Sequence, residues 1–228
     1  NCTGLDDGPD AESHKTSAYD IALMSRELLG KHPDIQKYTT IWMDTVRNGA
    51  FGLSNTNKLI RFYPGATGLK TGFTSAAGYC LSASAQREGL GLIAVTMGAE
   101  SAKIRNAACK AMLDYGFANF ALVEPALEEN AQVPVKLGKA PGVSAVLEGN
   151  QSLLIPKAKK SGLETDIILL DSVTAPVAQG TPLGTLTLRS GDETLLEAPL
   201  VAAQAVPRKS FWEIYIQVLK RAAMAKMA

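Results

Sequence analysis

The pattern of apolar residues changes near Pro125, and this change constrains the fold more than any other feature of the 228-residue sequence. From Val133 to Val206 the chain breaks into short apolar pieces separated by Pro, Gly, Asn and Asp, and it carries no helical stripe. Short strands between turn residues are typical of a small all-β domain. A chain of this length can hold two modest domains, so we expect a boundary between residues 123 and 131.

Upstream of this change, two apolar runs predict a β-hairpin. Residues 79–85 and 90–97 flank the short connection 86–89, which contains a glycine. The second run is almost continuously apolar, as expected for a strand that is covered on both faces.

Two helices are predicted, one on each side of this hairpin. Ser17 and Asp20 fit a capping box, and Gly30 is expected to end the first helix in a left-handed conformation. Ser101 is expected to cap the second helix and Gly116 to end it. The apolar positions that recur at helical spacing are Ile21, Met24 and Leu28 in the first helix and Ile104, Ala108, Ala111, Met112 and Tyr115 in the second. A hairpin between two such helices predicts an antiparallel sheet with helices packed on it, which is an α+β fold.

The last segment, residues 208–228, has the pattern of an amphipathic helix. Its basic residues face a single acid, Glu213, and its other face is apolar. This composition is typical of a helix that lies in a membrane interface. The sequence leaves open the alternative that the helix packs on the β domain.

Composition argues against several classes of function. The net charge is +1, so no global field favours nucleic acid. Cys2, Cys80 and Cys109 form no C-x-x-C pair, and His14 and His32 have no partner at metal-ligand spacing. We therefore expect no metal and no cofactor.

The most specific short motif is Lys70-Thr71-Gly72, which stands where a strand is expected to begin. The K-T-G sequence is a signature of serine β-lactamases and penicillin-binding proteins. A lysine on this strand supplies positive charge near a reacting carbonyl, and a threonine hydroxyl can bind a substrate carboxylate. A glycine lets the substrate approach the edge of the strand.

The wider sequence resembles the D-alanyl-D-alanine carboxypeptidase family of low-molecular-mass penicillin-binding proteins. The resemblance rests on residues 1–7 (N-C-T-G-L-D-D), 16–22, 68–81 (G-L-K-T-G-F-T-S-A-A-G-Y-C-L) and 95–98. It implies an α+β fold: part of a penicillin-binding/β-lactamase-like transpeptidase domain, then a small all-β domain and a C-terminal amphipathic helix. The expected limits are 1–124, 125–206 and 207–228.

The resemblance also implies the site residues. Lys70, Thr71 and Gly72 stand at the triad positions, and the backbone N–H of Phe73 at a position that completes an oxyanion hole. Arg105, 35 residues after Lys70, matches an arginine that helps to bind the terminal carboxylate of the substrate. The alternative for Arg105 is a solvated charge in the first turn of its helix, where the helix dipole does not favour a cation.

The activity implied is removal of the terminal D-Ala from peptidoglycan stem peptides through an acyl-enzyme. However, no Ser in this chain is followed by Lys at the third position or by Asn at the second. We therefore expect the nucleophilic serine, its lysine and the second serine to lie outside this chain, and the chain alone to be inactive.

The implied partners are stem peptides that end in D-Ala-D-Ala, β-lactam antibiotics and the outer face of the cytoplasmic membrane. Two other functions stay open. One is a non-catalytic wall-binding or scaffold protein with a degenerate cleft. The other is a β-lactamase, which shares the K-T-G motif.

Overall fold

The computed structural model describes residues 14–127 and 131–225. The chain forms two units, residues 1–121 and residues 122–228. The domain limits expected from the sequence, 1–124, 125–206 and 207–228, stay a prediction.

The first unit is a mixture of helices and antiparallel strands. Its elements are α1 (Ala18–Lys31), α2 (Gln36–Thr39), β1 (Met43–Val46), β2 (Phe51–Ser54), α3 (Leu59–Phe62), β3 (Ala66–Thr74), β4 (Gly78–Arg87), β5 (Leu90–Ala99) and α4 (Ala102–Asn119). A further strand, β6 (Phe120–Val123), crosses the division between the units.

Three of these strands form an antiparallel sheet in the order β3-β4-β5. The predicted hairpin is confirmed as β4 and β5. Its turn is shorter than expected, because only Glu88 and Gly89 lie between the strands, with φ of 49° and 79°. Two consecutive residues of positive φ are the geometry of a tight hairpin turn whose twist matches that of the flanking strands.

Helix α1 begins as the sequence predicts. The Ser17 hydroxyl accepts a hydrogen bond from the Asp20 N–H at 3.1 Å, and the Ser17 N–H donates to the Asp20 carboxylate at 3.3 Å. The predicted end at Gly30 is wrong. The His32 N–H still donates to the Leu28 carbonyl at 2.9 Å, so the helix runs through Gly30 to Lys31.

Helix α4 also begins as predicted, because the Ser101 hydroxyl accepts from the Ile104 N–H at 3.2 Å. The predicted end at Gly116 is wrong, since the helix continues to Asn119. Gly116 is buried against the sheet, where a Cβ atom would lie 2.5 Å from Cδ1 of Leu92. This glycine therefore serves the close approach of α4 to β5.

A buried tyrosine joins the end of α3 to α4. The Tyr63 hydroxyl donates to the Asp114 carboxylate at 2.8 Å, and the Arg87 guanidinium lies 4.5 Å from the centre of the Tyr63 ring. Burial first, and then the hydrogen bond to Asp114, raise the pKa of Tyr63 to about 12. The neutral phenol is thus favoured in the folded state.

The second unit is built mainly of strands. They are β7 (Gln132–Lys136), β8 (Gly142–Leu147), β9 (Leu153–Pro156), β10 (Leu163–Leu169), β11 (Val173–Thr174), β12 (Pro182–Ser190) and β13 (Glu193–Ala202). Six of them form one sheet in the order β10-β12-β13-β8-β7-β11, in which only the β7–β11 pair is parallel. The core of this unit includes the buried side chains of Val133, Val143, Leu183, Leu186, Leu200 and Val206.

The C-terminal helix α5 (Phe211–Ala225) follows this sheet. The Ser210 N–H donates to the Glu213 carboxylate at 2.6 Å, and the Glu213 N–H donates back to the Ser210 hydroxyl at 3.3 Å. This reciprocal pair fixes the start of the helix. No helix in the described part of the chain is both long enough and apolar enough to cross a bilayer.

We predict that Tyr63→Phe removes a pH dependence of stability. A group whose pKa rises on folding stabilises the protein fully below its unfolded pKa of 10, and this contribution is lost as the pH rises towards 12. The unaltered protein should lose about 2 kcal/mol of unfolding free energy over this interval that the variant does not lose. Denaturant unfolding at several pH values measures this difference, and identical pH profiles for the two proteins would contradict it.

Candidate active-site cleft

The Lys70-Thr71-Gly72 motif lies in the middle of β3. The expectation that it stands at the start of a strand is therefore wrong, because the strand begins at Ala66. Among the described residues β3 pairs with β4 alone, so its other edge is open. The register places Lys70 opposite Ser82 and Gly72 opposite Cys80.

Two grooves meet at this strand, and Lys70 and Thr71 line both. One groove, of about 390 Å³, lies between α1 and the sheet and is lined largely by apolar side chains such as Ile21 and Leu28. The other, of about 430 Å³, lies beyond the strand and is lined by Tyr38 and Trp42 among others. The lysine is exposed, and its ammonium group donates to the backbone carbonyl of Thr71.

The Thr71 hydroxyl has a partner that sequence reasoning missed. Its oxygen lies 2.7 Å from the hydroxyl oxygen of Thr56. The loop that carries Thr56 is fixed to β3 by Asn57, which is buried and donates to the Gly68 carbonyl at 2.8 Å. Asn55 holds the loop from the other side by donating to the Thr39 and Ile41 carbonyls. The N-T-N sequence was the only available signal, because asparagine side chains commonly bond the backbone in loops.

Gly72 is exposed, and the described chain does not require a glycine there. A Cβ atom at this position would meet only the Cβ of Cys80, at 4.0 Å, which is an ordinary contact. Its backbone φ is not positive. Internal packing therefore leaves the space above Gly72 open to a ligand.

Phe73 and Tyr79 form an aromatic pair at the end of the triad. They face each other across the β3–β4 ladder, with ring centroids 4.3 Å apart. Phe73 is 57% exposed, so its ring stands in solvent while its backbone belongs to the strand. Tyr79 is a second residue that sequence reasoning missed.

Arg105 is a buried cation, with a relative exposure of 4%. Its Nη1 donates to the Cys80 carbonyl at 3.3 Å and its Nε to the Asn106 side chain at 3.1 Å. The guanidinium carbon lies 5.9 Å from the centre of the Tyr79 ring. The alternative of a solvated charge is therefore wrong. Since Cys80 is opposite Gly72, one strand separates Arg105 from the triad.

The electrostatic setting of Arg105 is unusual. Burial lowers its pKa, and it lies in the first turn of α4, where the helix dipole disfavours a positive charge. No ion pair within the described ranges includes Arg105. A buried cation that is hydrogen-bonded only to neutral groups is costly, and such groups concentrate at functional sites.

Two buried serines join α1 to the sheet beside Lys70. The Ser25 hydroxyl donates to the Ile21 carbonyl at 2.7 Å and lies 2.7 Å from the Ser82 hydroxyl. Because the Ser25 proton is already donated, Ser82 must be the donor in the pair. The helical spacing of Ser25 with the apolar positions was its only sequence signal.

The remaining sequence candidates do not join this cleft in the described structure. Residues 1–7, which contribute to the family resemblance, lie outside the described residues. Neither His14 nor His32 is among the residues that line the two grooves. Within the described ranges, His, Cys, Asp and Glu form no group of three that could hold a metal ion.

Family models match both parts of the chain. Residues 1–101 match the model described as D-alanyl-D-alanine carboxypeptidase, and residues 125–208 match the C-terminal domain of penicillin-binding protein 5. The chain belongs to the D-alanyl-D-alanine carboxypeptidase family. The resemblance stated from the sequence is thus confirmed.

Curated members of the carboxypeptidase family match along most of this chain. D-alanyl-D-alanine carboxypeptidase DacF of Bacillus subtilis is 39% identical over 228 residues, which cover 97% of this chain and 56% of the relative. D-alanyl-D-alanine carboxypeptidase DacA of Escherichia coli K12 is 30% identical, covering 93% of this chain and 53% of the relative. The chain therefore spans about half the length of the curated relatives it matches.

Solved structures support the same fold. Penicillin-binding protein 5 from Haemophilus influenzae matches with a TM-score of 0.63 and 28% identity, covering 85% of this chain and 57% of that chain. Penicillin-binding protein 6B from Escherichia coli matches with a TM-score of 0.56 and 29% identity, covering 82% and 50%. The predicted α+β fold class is confirmed.

We predict that Ser25 and Ser82 are energetically coupled. Ser25→Ala leaves the Ser82 hydroxyl without its described acceptor, and each single substitution to alanine should lower the unfolding free energy by roughly 1–2 kcal/mol. The double variant should lose less than the sum, with a coupling of about 1 kcal/mol. Urea unfolding of the two single variants and the double variant gives this value. The exposed Ser75→Ala serves as the control, and strict additivity would contradict the coupling.

Proposed function

We propose that this chain forms the substrate-binding wall of a serine-type D-alanyl-D-alanine carboxypeptidase, whose attacking serine comes from polypeptide outside the chain. The observation that carries the proposal is the buried Arg105, hydrogen-bonded to neutral groups and one strand away from the K-T-G motif. A carboxypeptidase must bind the free carboxylate of its substrate, and a guanidinium can bind that group through two parallel hydrogen bonds.

The proposed reaction proceeds in two steps. The serine oxygen attacks the carbonyl carbon of the penultimate D-Ala, and the peptide bond breaks to release the terminal D-Ala as a free amino acid. Water then attacks the ester carbonyl, and the shortened stem peptide leaves with a new carboxylate. The serine recovers its proton, so no cofactor is consumed.

The residues of β3 fit the needs of these steps. Lys70 supplies positive charge at the strand, and the Thr71 hydroxyl, now bonded to Thr56, is placed to bond the substrate carboxylate together with Arg105. The open edge above Gly72 admits the substrate backbone. The N–H of Phe73 is proposed as an oxyanion-hole donor, a role that depends on the backbone and therefore tolerates any side chain except proline.

β-Lactam antibiotics are proposed as ligands of the same cleft. They offer a carboxylate for Arg105 and Thr71 and a strained amide carbonyl for the serine. Opening of the lactam ring retains the leaving amine within the same molecule, so it cannot diffuse away as D-Ala does.

The proposed location is the outer surface of the cytoplasmic membrane, through α5. Phe211, Trp212 and Tyr215 lie on one side of this helix and are 72%, 68% and 48% exposed. Their rings contact one another, with the Phe211 and Tyr215 rings stacked at 6.3 Å. Large exposed apolar patches mark interaction sites, and aromatic rings favour the membrane interface.

Arg105→Ala in the full-length protein is expected to lower kcat/KM for peptides that end in D-Ala-D-Ala. Truncating a buried cation that binds a substrate carboxylate should cost on the order of 100-fold or more. The same peptides with an amidated C-terminus should be affected little, because they present no carboxylate to lose. Release of D-Ala, or of its amide, measures both.

The matched control is Lys103→Ala, which removes an exposed cation from the same helical turn. Arg105→Lys retains the charge without the planar fork, and a thermal melt of each variant checks folding. Equal kcat/KM values for Arg105→Ala and the unaltered protein would reject the assigned role. A full-length protein that releases no D-Ala and is not labelled covalently by a fluorescent penicillin would favour the scaffold alternative.

Trp212→Ser should weaken binding of the full-length protein to phosphatidylcholine vesicles on the order of tenfold, because a large apolar ring no longer leaves water. Co-sedimentation with vesicles measures this. The control is Ile168→Ser, which removes a side chain that is 71% exposed on β10, at the opposite end of the sheet order from β7. Equal losses for the two variants would count against a specific role of the α5 face.

A further inference from the structure

The second unit contains a cavity of about 650 Å³ between α5 and the loop that follows β7. Three lysines, Lys136, Lys139 and Lys209, stand at its wall, and none of its lining residues is acidic. Neither the proposed carboxypeptidase reaction nor the aromatic face of α5 accounts for these three charges.

The backbone of each lysine is fixed by hydrogen bonds between elements. The Lys136 carbonyl accepts from the Ala175 N–H at 2.9 Å, and the Lys139 N–H donates to the Pro207 carbonyl at 2.9 Å. The Lys209 N–H donates to the Leu137 carbonyl at 2.8 Å. The three side chains therefore start from positions that the fold has set in advance, which lowers the entropy cost of binding.

The loop that carries two of these lysines is tightly packed. A Cβ atom at Gly138 would lie 2.6 Å from Cγ1 of Val135 and 2.9 Å from the Ala140 carbonyl oxygen. Leu137 has a φ of 58°, in the left-handed region that side chains rarely adopt. The chain thus keeps a strained turn between Lys136 and Lys139.

The charges of these lysines are only partly compensated. The half-buried Lys209 donates to the amide oxygen of Gln217 at 2.8 Å, which is a neutral partner. Lys139 lies 3.9 Å from the Glu213 carboxylate, and both side chains are about half exposed, so this pair is weak. The ion pairs of the described residues include neither Lys136 nor Lys209. The cavity therefore offers positive charge to an anion.

The opposite wall of the cavity is apolar and belongs to α5. Ile214 and Val218 line the cavity, and Val218 is also 59% exposed. Val218 therefore borders both the cavity and the solvent-exposed apolar surface of the helix. A ligand that fits must be anionic at one end and apolar at the other.

We propose that this cavity binds the phosphate headgroup of an anionic glycerophospholipid. The phosphate lies among Lys136, Lys139 and Lys209, and the glycerol and the first acyl carbons lie along Ile214 and Val218. The inference rests on the membrane association proposed above and adds a specific headgroup site to it. A free phosphate ion would satisfy the lysines but would leave the apolar wall in contact with water.

The test compares two sets of substitutions of equal charge in the full-length protein. The first is Lys136→Gln, Lys139→Gln and Lys209→Gln together, and the control is Lys157→Gln, Lys159→Gln and Lys160→Gln together. The control lysines follow β9, and Lys159 contacts Glu193 beside β12, away from the cavity wall. Binding is measured on phosphatidylcholine vesicles with and without phosphatidylglycerol, and thermal melts establish that both variants fold.

The cavity variant should lose on the order of tenfold or more in affinity for the anionic vesicles, while the control variant changes by less than a third of that factor. Binding of both variants to neutral vesicles should be unchanged, since it depends on the apolar face. Equal losses for the two variants would show that only net charge matters and would overturn the proposal. Cavity occupancy by inorganic phosphate alone, at the affinity seen for vesicles, would also overturn it.

Absence of binding to any vesicle would reject both this site and the proposed membrane association. Binding that depends on Trp212 but not on the cavity lysines would reject this site alone. The two failures are therefore distinguishable, and neither affects the test of Arg105.

Discussion

The hydrogen-bonded ladder between β3 and β4 is the constraint on which the candidate cleft depends. It places Lys70 opposite Ser82 and Gly72 opposite Cys80. The same strand β4 contacts α1 through the Ser82 hydroxyl and α4 through the Cys80 carbonyl. Because side chains alternate between the faces of a sheet, a slip of one residue would move Lys70 away from the groove beside α1. Register, more than any single contact, therefore brings the triad and Arg105 into one site.

The two units use positive charge in different ways. In the first unit, Arg105 is buried among neutral hydrogen-bond acceptors, so its charge is poorly solvated and an incoming carboxylate meets a strong, directed field. In the second unit, the lysines at the α5 cavity are largely exposed, so each contributes a weak interaction that salt screens. A buried guanidinium suits recognition of one carboxylate in one geometry, whereas a set of hydrated ammonium groups suits a mobile headgroup at a surface.

Local sequence signals predicted where elements begin better than where they end. The caps at Ser17 and Ser101 are present, because a hydroxyl or carboxylate one turn away is enough to satisfy the first free N–H groups. The ends predicted at Gly30 and Gly116 were wrong. A glycine ends a helix only where the backbone adopts a positive φ, and at Gly116 the absent side chain instead admits Leu92. Whether a glycine serves backbone conformation or close packing depends on neighbours that are distant in sequence.

By itself, the sequence determined the α+β class, the hairpin, the strand-rich second unit and the motif residues Lys70, Thr71 and Gly72. Each of these follows from local periodicity or from a contiguous motif. Only the tertiary structure decided that Arg105 is buried beside Cys80, that Thr56 bonds Thr71, and that lysines 73 positions apart, Lys136 and Lys209, share one cavity. These features depend on strand register and on contacts between residues far apart along the chain, and the energy of a buried charge or a shared cavity exists only once those segments have packed together.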